Sequence, residues 1–224
     1  MSSDTRPGRL VEGHGLRESI ALARARLAGL DPVDQARRAG CRVQGAGPSL
    51  EAVLDLVGRP ARVWLRGELA GQVVSAAGEP LAPLEQAIVL HYLVHGVGQV
   101  PPPTELIGFV DVKDAAFYGE PFRRRVEARV EQAFGRSGAD LSAAALSVGG
   151  EVLAGLADAA VRVRALPLVP VTIVLWLGDE ELGPAAKVLF GDNVGSLLGV
   201  EDLVALAQLV VRAMIGSRGA RIRG

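Results

Sequence analysis

Pro170-Val171-Thr172-Ile173-Val174-Leu175-Trp176-Leu177-Gly178-Asp179-Glu180-Glu181 is the stretch whose reading decides the fold. Its β-branched apolar run is too short for a membrane span and too continuous for an amphipathic surface helix, so it predicts a buried strand. Gly178 breaks that run into three consecutive carboxylates, which the strand delivers to one place at its end. Beyond them, 184–190 reads as a short helix, with Pro184 near its start and Gly191 after its end. A last helix over 200–215 is apolar on most sides, through Leu203, Val204, Leu206, Leu209, Val210, Val211 and Met214. Such a helix is sunk in the core or covered by a partner subunit.

Working outward from the central strand, Val161, Val163 and Ala165 alternate with Arg162 and Arg164, the period of a half-exposed strand. Pro167 and Pro170 make the corner between the two. Short runs at 61–65 and 72–75, cut by Gly58-Arg59-Pro60, Gly67 and Gly78-Glu79-Pro80, read as an antiparallel meander. The run at 50–56 fits that meander or a single helical stretch. Helical spacing recurs over 15–30, over 83–95 and at Phe122, Val126, Val130 and Phe134, where Arg123, Glu127 and Glu131 line an opposite, solvated face. Asp31-Pro32 is a cap followed by proline at the first helical position. The fold class is α+β: a mainly antiparallel sheet with helices packed on one face. It forms a single domain over 15–216, with a polar lead-in over 1–14 and a short basic tail over 217–224.

The bulk numbers exclude several classes. With 224 residues, 49% of them apolar, and a formal net charge of −1, the chain is neither disordered nor a polyelectrolyte binder. Cys41 is the only cysteine, so no internal disulfide and no cysteine-held iron–sulfur cluster can form on this chain. A reducing, cytoplasmic location follows as an expectation. No apolar segment is long enough to span a bilayer. Aromatic residues are few and not interleaved with arginine, which argues against nucleic acid. There is also no phosphate-cradling glycine loop and no nucleophile elbow.

Chemistry has two candidate homes. Asp179, Glu180 and Glu181 gather at a strand end, where neighbouring carboxylates raise one another's proton affinity or recruit a divalent cation. His91 and His95 stand four apart in His91-Tyr92-Leu93-Val94-His95, so both imidazoles share a helix face, as in the helical half of many zinc or iron sites. If Asp179 meets that helix, two histidines and a carboxylate make a set suited to Zn²⁺ or Fe²⁺. Glu201 and Asp202 open the last helix and read as ordinary complements to its dipole.

The ordered set Trp176-Leu177-Gly178-Asp179-Glu180-Glu181, then Leu189-Phe190, then Glu201-Asp202, with His91-Tyr92-Leu93 upstream, resembles the uncharacterised prokaryotic family called domain of unknown function 3786. The resemblance runs from about residue 15 to 215. Here Leu182 and Gly183 stand where that family's pattern has phenylalanine and proline, and Gly191 stands where it has aspartate, with Asp192 directly after. The resemblance implies positions rather than an activity. It also suggests handling of a corrinoid or other tetrapyrrole, because some relatives resemble fusions with a cysteine-rich iron–sulfur segment.

The expectation drawn from these readings is a small-molecule or cofactor-handling protein, with metal-assisted catalysis among its forms. Asp179 would act as ligand or general base, Glu180 or Glu181 as its partner, and His91 as acid or metal ligand. Trp176 and Tyr92 would wall the site, with Asp192 beside it. The alternative is a non-catalytic assembly subunit that pairs with itself or another protein through 200–215.

Overall fold

The computed structural model describes residues 14–95 and 100–221. Helix α1 (His14–Ala28) leads into α2 (Pro32–Arg38). Asp31 caps α2, its Oδ1 accepting from the Val33 and Asp34 N–H groups at 2.9 and 3.2 Å. Strands β1 (Arg42–Gln44), β2 (Glu51–Leu56), β3 (Arg59–Trp64) and β4 (Val73–Ser75) follow, and then α3 (Pro83–His95). After β5 (Leu106–Gly108) comes a broken helix: α4 (Gly119–Phe122), a π turn over Arg123–Glu127, and α5 (Ala128–Phe134). Helix α6 (Gly138–Ser147), β6 (Glu151–Leu153), β7 (Ala159–Leu166), β8 (Val169–Trp176), β9 (Ala185–Gly191) and the long α7 (Val200–Arg221) complete the chain.

The architecture is α+β and every strand pairing is antiparallel. The strands form two sheets where the sequence predicts one. The order is β1-β2-β3-β4 in the first and β5-β9-β8-β7-β6 in the second. Strand β8 is the centre of the larger sheet, and Val169, Val171, Thr172, Ile173, Val174 and Leu175 are all buried. The two sheets meet at the β2–β3 hairpin, where the Val57 N–H donates to the Ala165 carbonyl of β7 at 2.9 Å. Val57 and Gly58 both have positive φ, 50° and 70°. A two-residue loop of that kind matches the twist of an antiparallel pair. A buried β-branched residue there is an outlier, held in place by its surroundings.

The helical expectation over 184–190 is overturned. That segment is β9, the hairpin partner of β8, with Ala186, Val188 and Phe190 buried and Ala185 and Lys187 exposed. This is the period of two that one-sided burial in a sheet selects. The solvated face expected for Glu127 and Glu131 is overturned as well. Glu127 is buried and accepts from the Val188 N–H, while Glu131 accepts from the Ala186 N–H. The two carboxylates cover the stretch of β9 that β5 leaves unpaired.

Helix α7 lies in the core of its own chain. Leu203, Leu206, Ala207, Val210 and Met214 are fully buried there. Of the basic tail expected over 217–224, residues 217–221 are the end of α7 and 222–224 lie outside the described residues. Arg218 donates to the Ala133 carbonyl and pairs with Asp140, 2.7 Å away. The lead-in over 1–13 lies outside the described residues. Aromatic packing ties the helical layer to β9: Phe109 stacks on Phe122 at 4.0 Å, and Phe122 meets Phe190 edge-on at 6.2 Å.

Candidate functional site

The acidic turn after β8 is a self-contained hairpin loop. Asp179 Oδ1 accepts from the Glu181 and Leu182 N–H groups at 2.8 and 2.7 Å, and the Asp179 N–H returns to the Leu182 carbonyl. Those two donors, Leu182 first, hold the Asp179 carboxyl below its ordinary range. Glu180 and Glu181 are exposed, as is Trp176 at the end of β8. The loop is anchored by the Leu177 N–H on Asp158 and the Gly178 N–H on the Gly135 carbonyl.

His91 lies elsewhere. Its ring bridges three helices: Ser19 Oγ of α1 is 2.9 Å from Nε2, and Asp202 of α7 lies 2.8 and 3.0 Å from Nδ1 through its two oxygens. A carboxylate only accepts, so Nδ1 carries the proton and donates to Asp202. Nε2 of the neutral ring is then the acceptor for the Ser19 hydroxyl. Asp202, through its hydrogen bond and then its charge, raises the His91 pKa against an opposing desolvation.

The Asp179 turn and His91 sit at opposite ends of α7. Asp202 meets His91 at one end, and Arg218 meets the segment beside Gly135, the anchor of the Asp179 turn, at the other. Sixteen residues of helix, about 24 Å, lie between Asp202 and Arg218. The structure therefore does not bring Asp179 to His91. Among the described residues no group of three histidine, cysteine or acidic side chains is placed to hold a metal. His95, one turn beyond His91, reaches the Gly195 carbonyl at 3.2 Å. Tyr92 is buried as a strut, its hydroxyl donating to the Ala39 carbonyl at 2.6 Å and accepting from the Leu168 N–H at 3.1 Å. Cys41 is also buried, which pushes its thiol up to about 12.

The His91 shift has a consequence for stability. A raised folded pKa means the His91–Asp202 tie contributes fully below the unfolded histidine value and is lost as pH rises through the folded one. Thermal melts should therefore show His91→Gln losing more stability relative to the parent at about pH 5.5 than at about pH 8.5. Equal losses at both pH values would show that the imidazole is not held charged by Asp202.

A concave site lies at the seam of the sheets. A cavity of about 1140 Å³ is lined by Asp55 and Gly58 of the β2–β3 hairpin, Gly149 and Gly150 before β6, Arg162 and Arg164 of β7, and the 100–106 segment. That segment is clamped by Asp192. Its Oδ1 accepts from the Thr104 N–H at 3.0 Å, its Oδ2 from the Thr104 hydroxyl at 2.5 Å, and its own N–H donates to the Glu105 carbonyl. The two bonds from Thr104, its hydroxyl's foremost, hold the Asp192 carboxyl below its ordinary range. Asn193 donates to the Pro101 carbonyl at 2.7 Å. Gly191 belongs to the same clamp, since a Cβ there would lie 2.6 Å from Pro103 Cβ. Asp192 thus positions a cleft wall.

Arg162 pairs with Glu151 at 3.3 Å, whereas Arg164, Asp55 and Glu105 make no ion pair among the described residues. Three further arginines of the α4–α5 region, Arg124, Arg125 and Arg129, are exposed and line a groove of about 670 Å³ with Arg212.

Sequence reasoning missed Ser19 and the cleft, and it read Asp202 as a complement to the helix dipole. Ser19 carries no local signal, and its contact to His91 spans 72 residues. The arginine alternation in β7 was visible, but nothing in it shows that the β2–β3 hairpin closes over that face. No curated protein and no solved structure gives a significant match to the chain. A family model described as a domain of unknown function (DUF3786) matches residues 31–213. With that match spanning most of its length, the chain belongs to the DUF3786 family.

Proposed function

We propose that this domain binds a small polar molecule in the cleft at the seam of the two sheets. The observation that carries the reading is the strained hairpin tip. Buried Val57 holds a positive φ where the sheets join, and the exposed Gly58 beside it lines the cavity. Backbone strain of this kind is kept where the surroundings over-determine it, and such places cluster at ligand sites. The lining adds chemistry. Arg164 offers a cation with no ion pair among the described residues, Asp55 and Glu105 offer carboxylates, and Pro101, Pro103, Leu168 and Leu197 offer apolar wall. That combination suits a ligand bearing both an acidic and a basic group on a short carbon frame, as an amino acid does. A reducing, cytoplasmic setting belongs to this reading, supported by the single buried thiol.

A thermal-shift series with the common amino acids and short dipeptides tests it. A ligand at a hundredfold excess over its Kd stabilises by about 2.7 kcal/mol, which such melts resolve readily. The expected result is a concentration-dependent shift for some of these compounds that Arg164→Ser abolishes. If none shifts the transition, or if the shift survives Arg164→Ser unchanged, the cleft is not the site.

A further inference from the structure

We propose that Ser19, His91 and Asp202 form a nucleophile–base–acid relay in which Ser19 Oγ reacts with acyl compounds. The inference is independent of the cleft reading. The three groups come from α1, α3 and α7, and each hydrogen bond has the length the chemistry needs. The Ser19 hydroxyl is 2.9 Å from Nε2, and Asp202 is 2.8 Å from Nδ1 on the far side of the ring. Asp202 fixes the tautomer that leaves the Nε2 lone pair facing Ser19 and stabilises the imidazolium that forms when that lone pair takes a proton.

Ser19 is not behaving as an ordinary helical serine. Ser147 and Ser217 donate to carbonyls three residues back in their own helices, at 2.7 Å each. That is the usual local bond for a serine inside a helix. Ser19 instead reaches across to another helix. The site is also accessible: the His91 and Asp202 side chains are 26% and 20% exposed, and Ser19 is half-buried. His91 and Asp202 fall within the family-matched stretch, and Ser19 precedes it.

The step balances without a cofactor. Ser19 Oγ bonds to the acyl carbon as its proton passes to His91 Nε2. The bond from the acyl carbon to the leaving oxygen breaks, and that oxygen departs as an alcohol with the proton from His91. A water molecule then repeats the sequence, giving its proton to His91 and its oxygen to the acyl carbon. A carboxylic acid is released and the Ser19 hydroxyl is restored.

The test is labelling of the whole protein with diisopropyl fluorophosphate, located by peptide mass spectrometry, alongside hydrolysis of p-nitrophenyl acetate. We expect an adduct on Ser19, its loss in Ser19→Ala, and labelling slowed about a hundredfold or more in His91→Gln, the scale of a lost general base. The labelling rate of the unaltered protein should rise with pH along a single titration and level off once His91 is neutral. That profile needs no variant to fold. No adduct on Ser19, an unchanged rate in a folded His91→Gln protein, or a rate indifferent to pH between about 5 and 9 would each overturn the relay.

Discussion

Gly58→Ala is expected to destabilise the protein by about 3 kcal/mol or more, and Gly155→Ala by only about 1 kcal/mol. Both glycines hold left-handed backbone, φ 70° and 81°, so both substitutions carry the cost of placing a Cβ there. They differ in what the new atom meets. At Gly155 nothing lies within 4 Å, whereas at Gly58 a Cβ would fall 2.1 Å from the Val148 carbonyl oxygen and 2.8 Å from its carbon. Both are backbone atoms, and they belong to the turn that lines the cleft beside Gly149. Relief therefore requires the β2–β3 hairpin to withdraw from the larger sheet, which strains the Val57–Ala165 hydrogen bond. Urea unfolding of the two variants beside the parent measures the difference directly. Equal losses at Gly58 and Gly155 would mean that the hairpin does not press on Val148. Because Gly58 lines the cavity, Gly58→Ala should also weaken any ligand-induced shift, and Gly155→Ala should not.

How much of this was legible in the sequence depends on how local each determinant is. Strand β8 and helix α3 were readable because burial on both faces and helical spacing are written in consecutive residues. The Asp31 cap was readable because its donors lie two and three residues away. Strand β9 was misread for a physical reason. Pro184 and Gly191 bracket it as they would a helix, and they outweighed the alternation of Ala186, Val188 and Phe190 against Ala185 and Lys187. The single sheet failed because antiparallel strand signals carry no information about which edges pair.

The site follows the same rule. His91 was recognisable as a chemically competent side chain. Its partners, however, come from 72 residues upstream and 111 downstream, and an acid in the first turn of a helix looks alike whether it serves the dipole or an imidazole. The Asp179 cluster shows the converse. Three carboxylates in a row were conspicuous, yet Asp179 is occupied by its own loop and the other two face solvent.

Glu127→Ala is expected to cost about 2 kcal/mol and to make the protein prone to self-association. The reason lies in the edge of the larger sheet. Strand β5 pairs only with residues 189–191 of β9, so the outward N–H groups of Ala186 and Val188 have no strand partner. Glu131 Oε1 takes the first at 3.2 Å and Glu127 Oε1 the second at 3.3 Å, from the helix that crosses the edge. Lys187 Nζ, 3.4 Å from Glu127 Oε2, adds an ion pair, but its side chain is largely exposed and can return to water. The loss in the variant is therefore dominated by Val188, whose buried N–H is left without an acceptor. Glu127→Gln keeps an oxygen at the same reach and removes only the charge, so it should fall between the parent and the alanine variant. Exposing both donors through Glu127→Ala with Glu131→Ala should raise light scattering further, because an uncovered edge templates pairing with another chain. If Glu127→Ala unfolds at the parent's denaturant midpoint, the carboxylate is a bystander and the edge of β9 is satisfied by water.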